Sequence, residues 1–434
     1  MFNFIHSNFF SSDDWFHLRI SDIHSLQEFL NFFSFANTDQ SASFYRPLST
    51  QVFFYFFHTI FGLNSLPYYL FGILLFTLIL FLLYKFTNSL VTTLIYAVSV
   101  TNFTRLFFLS AYQELFLVFF SLLTLILYKS KKYLPALFCF ILSLLSKETA
   151  VVLPVLLLVL SLFEKKVSFR KLAPHFFLLA IYLYLRLFIF KGSVGDSYIW
   201  DFSPPKALNT FFWYTLWSFG APELLVDYVG SGLKILPRFF TDYPIWSYII
   251  LSQLMLTLLA FVGLLFQNNR RVFFGLSIFA ISLLPVLFLP WHKFTLELGL
   301  PLVGFSIILS TLIGKTRLGQ IFLFLFIVFN LSMWPLTYSR NYAVSRGVIS
   351  QKIVNYLQAS YPSPPIGYFE FINDTPDYGK DWGSSKQISN AIGGSELFRV
   401  FYSDPGHTVF YEDFPGNRPD PPQIPLSTKY FVTK

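Results

Sequence analysis

The sequence predicts a mainly α-helical protein, a polytopic transmembrane bundle of about ten spans followed by a small α+β module. Three observations predict it. Of 434 residues, 54% are hydrophobic and only 12% are charged, whereas soluble domains carry roughly 25% charged residues. The mean hydropathy is +0.56, so folding in water leaves more apolar surface than one core can bury. The apolar residues also fall in long runs, and most Lys and Arg sit in the short connectors between them. An aromatic content of 21%, dominated by 58 Phe, suits lipid contact and interfacial belts.

A helix crosses a bilayer with ~20 apolar residues, within a range of about 17–25. Ten segments qualify or come close: 66–86, 89–109, 112–129, 133–147, 149–164, 172–190, 245–266, 272–290, 299–314 and 319–338. The fourth and fifth are short and meet at Ser146-Lys147-Glu148, which predicts two compressed helices joined by a tight hairpin. The aromatic run 51–61 is too short to span and reads as interfacial or re-entrant.

Alternate connectors differ in charge. One set carries Lys85, Lys129 to Lys132, Glu164 to Lys171, Arg270-Arg271 and Lys315-Thr316-Arg317. The other comprises 109–112, Lys147-Glu148, 191–244 and Trp291-His292-Lys293. The positive-inside rule places the first set in the cytoplasm. Residues 1–50, 191–244 and 339–434 are then expected outside, around a transmembrane domain at 51–338. The net charge of +8 reads as topology, with a lipid bilayer and no nucleic acid as partner. Residues 1–12 have neither a basic n-region nor a long apolar h-region. Since 50 residues outside must then translocate unaided, either a misassigned start or a truncated chain is expected to have removed an upstream helix. The lone Cys139 sits in an apolar run and supports no disulfide framework.

Beyond residue 339, Pro, Gly, Asp, Asn and Ser become frequent. A helix is expected at 341–359, then short β-like runs at 366–372 and 408–411 separated by turn signals.

Four stretches carry candidate chemistry. Asp13-Asp14-Trp15-Phe16-His17-Leu18-Arg19 puts two carboxylates ahead of the first span. A carboxylate partly removed from water has a raised pKa and suits general-base work on a hydroxyl or amide. Adjacent residues point in different directions, so one is expected to face a site. The plainer reading makes Ser12 to Asp14 an N-cap with acidic first-turn residues, for a helix beginning near Trp15. Arg46, in Phe44-Tyr45-Arg46-Pro47-Leu48, is placed to hold a phosphate bidentately, or to snorkel. His58 on the aromatic run is open to packing or ligand binding. Ser146-Lys147-Glu148-Thr149 places an ion pair at an outside hairpin, costly at membrane depth unless functional, or else a solvated turn. Trp291 to Glu297 brings His292, Lys293 and Glu297 onto one outside loop, placed for a lipid phosphate or for ordinary headgroups. HExxH, paired Cys, GxxxxGK[ST] and GxGxxG patterns do not occur, so no nucleotide-phosphate cradle or metal site is read. No cofactor is required, although a divalent cation is compatible with the acidic pair.

In order, the early Asp13-Asp14, Tyr45-Arg46-Pro47-Leu48 before an aromatic run ending Phe61-Gly62-Leu63-Asn64, Ser146-Lys147-Glu148-Thr149, and a late loop before Leu300-Pro301 and Gly304 resemble the GT-C superfamily of integral membrane glycosyltransferases. The resemblance covers about residues 10–340 and is nearest to the polyprenyl-phosphate-mannose-dependent enzymes and protein O-mannosyltransferase-like kin of bacteria. It implies transfer of a sugar from a polyprenyl-phosphate donor to a protein, glycan or lipid acceptor, on the outer face of a prokaryotic plasma membrane. It also implies a catalytic base at Asp13 or Asp14. Donor-phosphate contacts would come from Arg46, Lys147 and Lys293, with His292 and Glu148 beside them. The family's first helix, normally just before the acidic pair, is missing here, and the C-terminal part carries no family signature. A lipid-linked glycan flippase or transporter, or a glycan polymerase or ligase using a diphosphate donor, are the competing expectations. Transporters usually show paired halves and charges at the midplane, and neither is evident.

Overall fold

The structure is a computed structural model that describes residues 8–36, 38–40, 44–190, 198–230, 232, 234–264, 270–314, 316–373, 383–414 and 423–432. Residues 1–7 and 191–197 of the expected outer segments, together with Lys315 and Asp420 to Pro422, lie outside the described residues. The protein is mostly helical, with 72% helix and 3% strand.

Among the described residues two short helices come first, α1 (Asp13–Ser21) and α2 (Leu26–Asn31), then a π-turn at Leu48–Val52 that runs into α3 (Phe53–Phe61). The helix α4 (Leu66–Thr87) is 22 residues long, about 33 Å at 1.5 Å per residue. Pro67 sits in its first turn, where the missing N–H costs nothing, and Asn88 ends it with a left-handed φ of 52°.

The span expected at 89–109 is not one helix. It divides into α5 (Leu90–Val98) and α6 (Asn102–Phe107). The polar residues between them supply the reason. Asn102 Nδ2 donates to the Tyr96 carbonyl at 2.6 Å, the Val100 amide turns to Asn330 Oδ1 at 3.0 Å, and Ser99 bonds Thr101. Side chains thus take over backbone bonds that a continuing helix would have used.

Next come α7 (Tyr112–Lys129), α8 (Tyr133–Leu144), a 3₁₀ turn at Glu148–Val152 leading into α9 (Leu153–Phe163), and α10 (Phe169–Tyr184), which ends in a π-turn at Leu185–Ile189. The region expected as an outside loop at 191–244 contains α11 (Pro204–Ser218) and α12 (Arg238–Asp242). The bundle is completed by α13 (Trp246–Leu264), α14 (Arg270–Leu287), α15 (Pro301–Ile313) and α16 (Arg317–Arg340). Counted over described residues, five helical stretches are long and apolar enough to cross a membrane: Leu66–Thr87, Leu109–Lys129, Phe169–Ile189, Arg270–Leu287 and Arg317–Ser360. Tyr133–Leu144, Glu148–Phe163, Trp246–Leu259 and Pro301–Ile313 are shorter apolar helices.

Helix α14 crosses α15 backbone to backbone. A Cβ on Gly275 would stand 2.8 Å from the Gly304 carbonyl oxygen, so glycine at this crossing sets the helix separation.

The chain continues into α17 (Tyr342–Ser360), where the Asn341 side chain caps the Ala343 amide. It is followed by β1 (Tyr368–Ile372), α18 (Ser384–Ile392), α19 (Glu396–Tyr402), β2 (Phe410–Tyr411) and β3 (Gln423–Ser427). The strands form a parallel sheet in the order β2-β1-β3, with Glu370 opposite Phe410 and Phe369 opposite Ile424. Parallel neighbours need a crossover, and α18 with α19 makes the one from β1 to β2. The third strand is an element that turn and alternation signals did not reveal.

Candidate active site

The acidic pair is anchored by the far end of the chain. The Ser12 amide donates to the Ala391 carbonyl at 2.7 Å, and its hydroxyl donates to Asn390 O at 2.8 Å. Ser12 therefore does not cap the helix. Its backbone stands at φ 51°, and α1 begins at Asp13 rather than near Trp15.

The two carboxylates then part. Asp14 is fully buried. It accepts from the Ser11 amide at 2.9 Å and from both the amide and the hydroxyl of Ser110. Burial pushes its carboxyl up to about 7, against those three donors, and the charge of Asp13 adds to the rise. Asp13 instead opens onto a cavity of about 690 Å³. Its carboxylate is reached by the cavity's solvent yet ringed by protein, and that enclosure raises its pKa against the pull of Arg346 and Arg46.

Residues from distant connectors line this cavity: Arg46, Ser110, Lys147, His292 and Glu297 join Asp13. Arg46 is buried. Its Nε donates to Glu148 Oε2 at 2.6 Å, its Nη2 to Glu148 Oε1 and its Nη1 to Gln113 Oε1. Glu148 thus stands behind the wall as the partner of Arg46. The ion pair expected between Lys147 and Glu148 does not form. Lys147 turns the other way, to Glu114 Oε1 and to both oxygens of Glu297 at 2.8 Å. The 3₁₀ turn after Lys147 sends these consecutive side chains in opposite directions. His292 Nε2 lies 3.2 Å from Glu297 Oε1. Burial alone would raise the Glu297 carboxyl, but Lys147 and His292 outweigh it and hold it well below the usual carboxylate range.

His17 contacts Ser110 Oγ through Nδ1 at 3.1 Å. Burial, aided by the charge of Arg46, lowers its pKa to about 3, so the ring is neutral at ordinary pH.

Two expected residues are not brought in. Lys293 reaches Asn209 Oδ1 at 3.0 Å and lines a separate cavity of about 280 Å³ beside Glu223, Asp227 and Arg340. The loop reverses between His292 and Lys293, so only one of them faces Asp13. His58 lies on α3 outside both cavities.

Other residues belong to the site without having been singled out. Glu114 sits one turn into an apolar helix, and that position was a readable signal, because an acid there needs a partner. A Cβ on Gly299 would stand 2.5 Å from Glu114 Oε2, so glycine makes room for that acid. Gln113, Tyr198, Arg346 and Glu396 also line the cavity. The last two come from α17 and α19 and carry no local signal.

Among the described residues no three His, Cys, Asp or Glu side chains are grouped as a metal ion needs, so no ligand set is assigned to the divalent cation that the acidic pair allows. The arrangement can accept a proton at Asp13 and brings cationic side chains to the same cavity. Comparison with protein-family models, with curated proteins and with solved structures returns no match to this chain.

Proposed function

We propose that the protein is an integral membrane glycosyltransferase that moves a sugar from a polyprenyl-phosphate donor to an acceptor on the extracytoplasmic face of a prokaryotic plasma membrane. One observation carries the reading. One half-open cavity collects an accessible, pKa-raised carboxylate and cations from segments spread over more than 300 residues of chain. An inverting transfer needs these parts and no soluble nucleotide.

In the proposed reaction Asp13 takes the proton from the acceptor hydroxyl or amide as that atom attacks the anomeric carbon. The carbon–oxygen bond to the phosphate breaks on the opposite face, the configuration inverts, and polyprenyl phosphate departs with the electron pair. A cation of the cavity wall stabilises the charge growing on that phosphate. Asp14 acts through the backbone by holding α1 against Ser110. The Lys147–Glu114–Glu297 cluster keeps three connectors at fixed separation. The outward placement of the cavity follows from the positive-inside rule applied to the connectors.

The test is donor turnover in membranes carrying the protein, using a radiolabelled polyprenyl-phosphate sugar. Asp13→Asn is expected to lower sugar transfer by about 100-fold or more at unchanged expression. Full activity in that variant removes the assigned base. Movement of the lipid-linked sugar across liposomes without transfer would make the protein a flippase, and turnover of a diphosphate donor alone would make it a polymerase or ligase.

A further inference from the structure

Three Lys or Arg side chains line the Asp13 cavity: Arg46, Lys147 and Arg346. A cation that receives a ligand needs donors left over after folding, and an inventory of N–H groups separates the three. Lys147 has three donors, and all three meet carboxylate oxygens of Glu114 and Glu297. Arg46 bonds through each of its three nitrogens, two of them in a bidentate fork on Glu148; two of its five N–H groups stay unused, but its charge is paired with that carboxylate. Both charges are neutralised within the wall.

Arg346 differs. Its Nη1 donates to Ser12 Oγ at 3.0 Å, and its guanidinium stacks over Tyr342 at 5.1 Å. Its Nε and Nη2 meet no acceptor, and no carboxylate lies within ion-pair distance of it, among the described residues; the carboxylate whose charge acts on it is Asp13, the proposed base. Glu396, the nearby acid on the wall, is occupied by Arg19 and Arg399. The Ser12 bond also fixes Arg346 next to the base, because Ser12 precedes Asp13 and is pinned by Asn390 and Ala391.

We propose that Arg346, rather than Arg46 or Lys147, receives the anionic group of the ligand, so that α17 supplies the anion site and the two buried cations serve to hold the cavity together. That the anion is a phosphate ester rests on the function proposed above, whereas the donor inventory is independent of it. A planar guanidinium whose Nε–Nη2 edge is free suits a tetrahedral oxyanion.

The experiment uses full-length protein in detergent, with farnesyl phosphate, farnesol and inorganic phosphate as probes. Wild type is expected to bind farnesyl phosphate more tightly than farnesol. Arg346→Gln is expected to weaken farnesyl phosphate by at least about tenfold, leaving farnesol unchanged. A second measurement needs no variant: phenylglyoxal should modify Arg346 in free wild-type protein, and farnesyl phosphate should protect it, as read by mass spectrometry. Unchanged affinity in Arg346→Gln, absence of protection, or no binding of either phosphate to wild type overturns the assignment. Arg346-dependent binding of inorganic phosphate with no preference for the prenyl ester keeps this assignment and overturns the polyprenyl-phosphate donor.

Discussion

At Asp13 and Asp14 neighbouring carboxylates meet different surroundings, one reaching the cavity and the other enclosed by donors from Ser11 and Ser110. Their variants should therefore fail differently. Asp14→Ala leaves buried donors unpaired and is expected to cost about 1–3 kcal/mol of stability, measured as a lower Tm, while Asp13→Asn does not lower the Tm. The pH profile follows from the raised pKa of Asp13. The folded protein holds this proton more tightly than an unfolded chain does, so the base-competent form accumulates only as pH rises. Transfer activity should accordingly rise with pH above the ordinary aspartate value of about 3.9. By the same linkage Asp13 contributes stability at low pH that is lost as pH climbs through the folded pKa. A parallel contrast holds for two lysines. Lys147→Met strands two buried carboxylates and is expected to cost about 3–5 kcal/mol, whereas Lys293→Met, which removes one bond to the exposed Asn209, should leave Tm and activity unchanged. From the residues alone, carboxylates and cations in outer connectors were legible as candidates. Their pairing was not, because the side a residue faces across a hairpin depends on turns such as the 3₁₀ turn after Lys147.

Within elements, close backbone approach decides the packing. Gly275 and Gly304 let α14 and α15 touch, so Gly304→Val must push the helices apart. The expected cost is about 1–3 kcal/mol of overpacking, seen as a lower Tm in detergent; a wild-type Tm would show that the crossing has slack. Run lengths of apolar residues made helices such as α4, α14 and α16 readable to within a few residues. The break between α5 and α6 was hidden, since hydropathy averages over Ser99 to Asn102 and cannot see that Asn330, more than 200 positions away, satisfies the Val100 amide. The strand β3 was obscured for a related reason. Its partner β1 is joined to it only through the long connection carrying α18 and α19, and local alternation contains no trace of that pairing.

Across the molecule, connectors far apart in sequence come together. Those around residues 46, 110, 147 and 292, with Arg346 of α17, surround the Asp13 cavity. Three of the Lys- and Arg-rich connectors meet one another, Lys129 lying 3.7 Å from Glu164 and Arg270 Nη2 donating to the Leu162 carbonyl at 3.1 Å. Alternation of charge along the sequence is what the proposed sidedness rests on, because the positive-inside bias acts on each connector separately. In a Cys139→Ser background, Asn209→Cys should react with a membrane-impermeant maleimide on intact cells, and Lys131→Cys only after permeabilisation. The reverse pattern would invert the proposed sidedness. The joining of the two chain ends, α1 resting on residues 390–391, had no sequence signature, and it is why Arg346 and Glu396 escaped notice. The most direct measurement is a structure of the full-length protein in lipid with a non-hydrolysable polyprenyl-phosphate sugar analogue. The account predicts the sugar's anomeric carbon in the 690 Å³ cavity beside the Asp13 carboxylate. An analogue bound elsewhere while that cavity holds none at saturating concentration would contradict it.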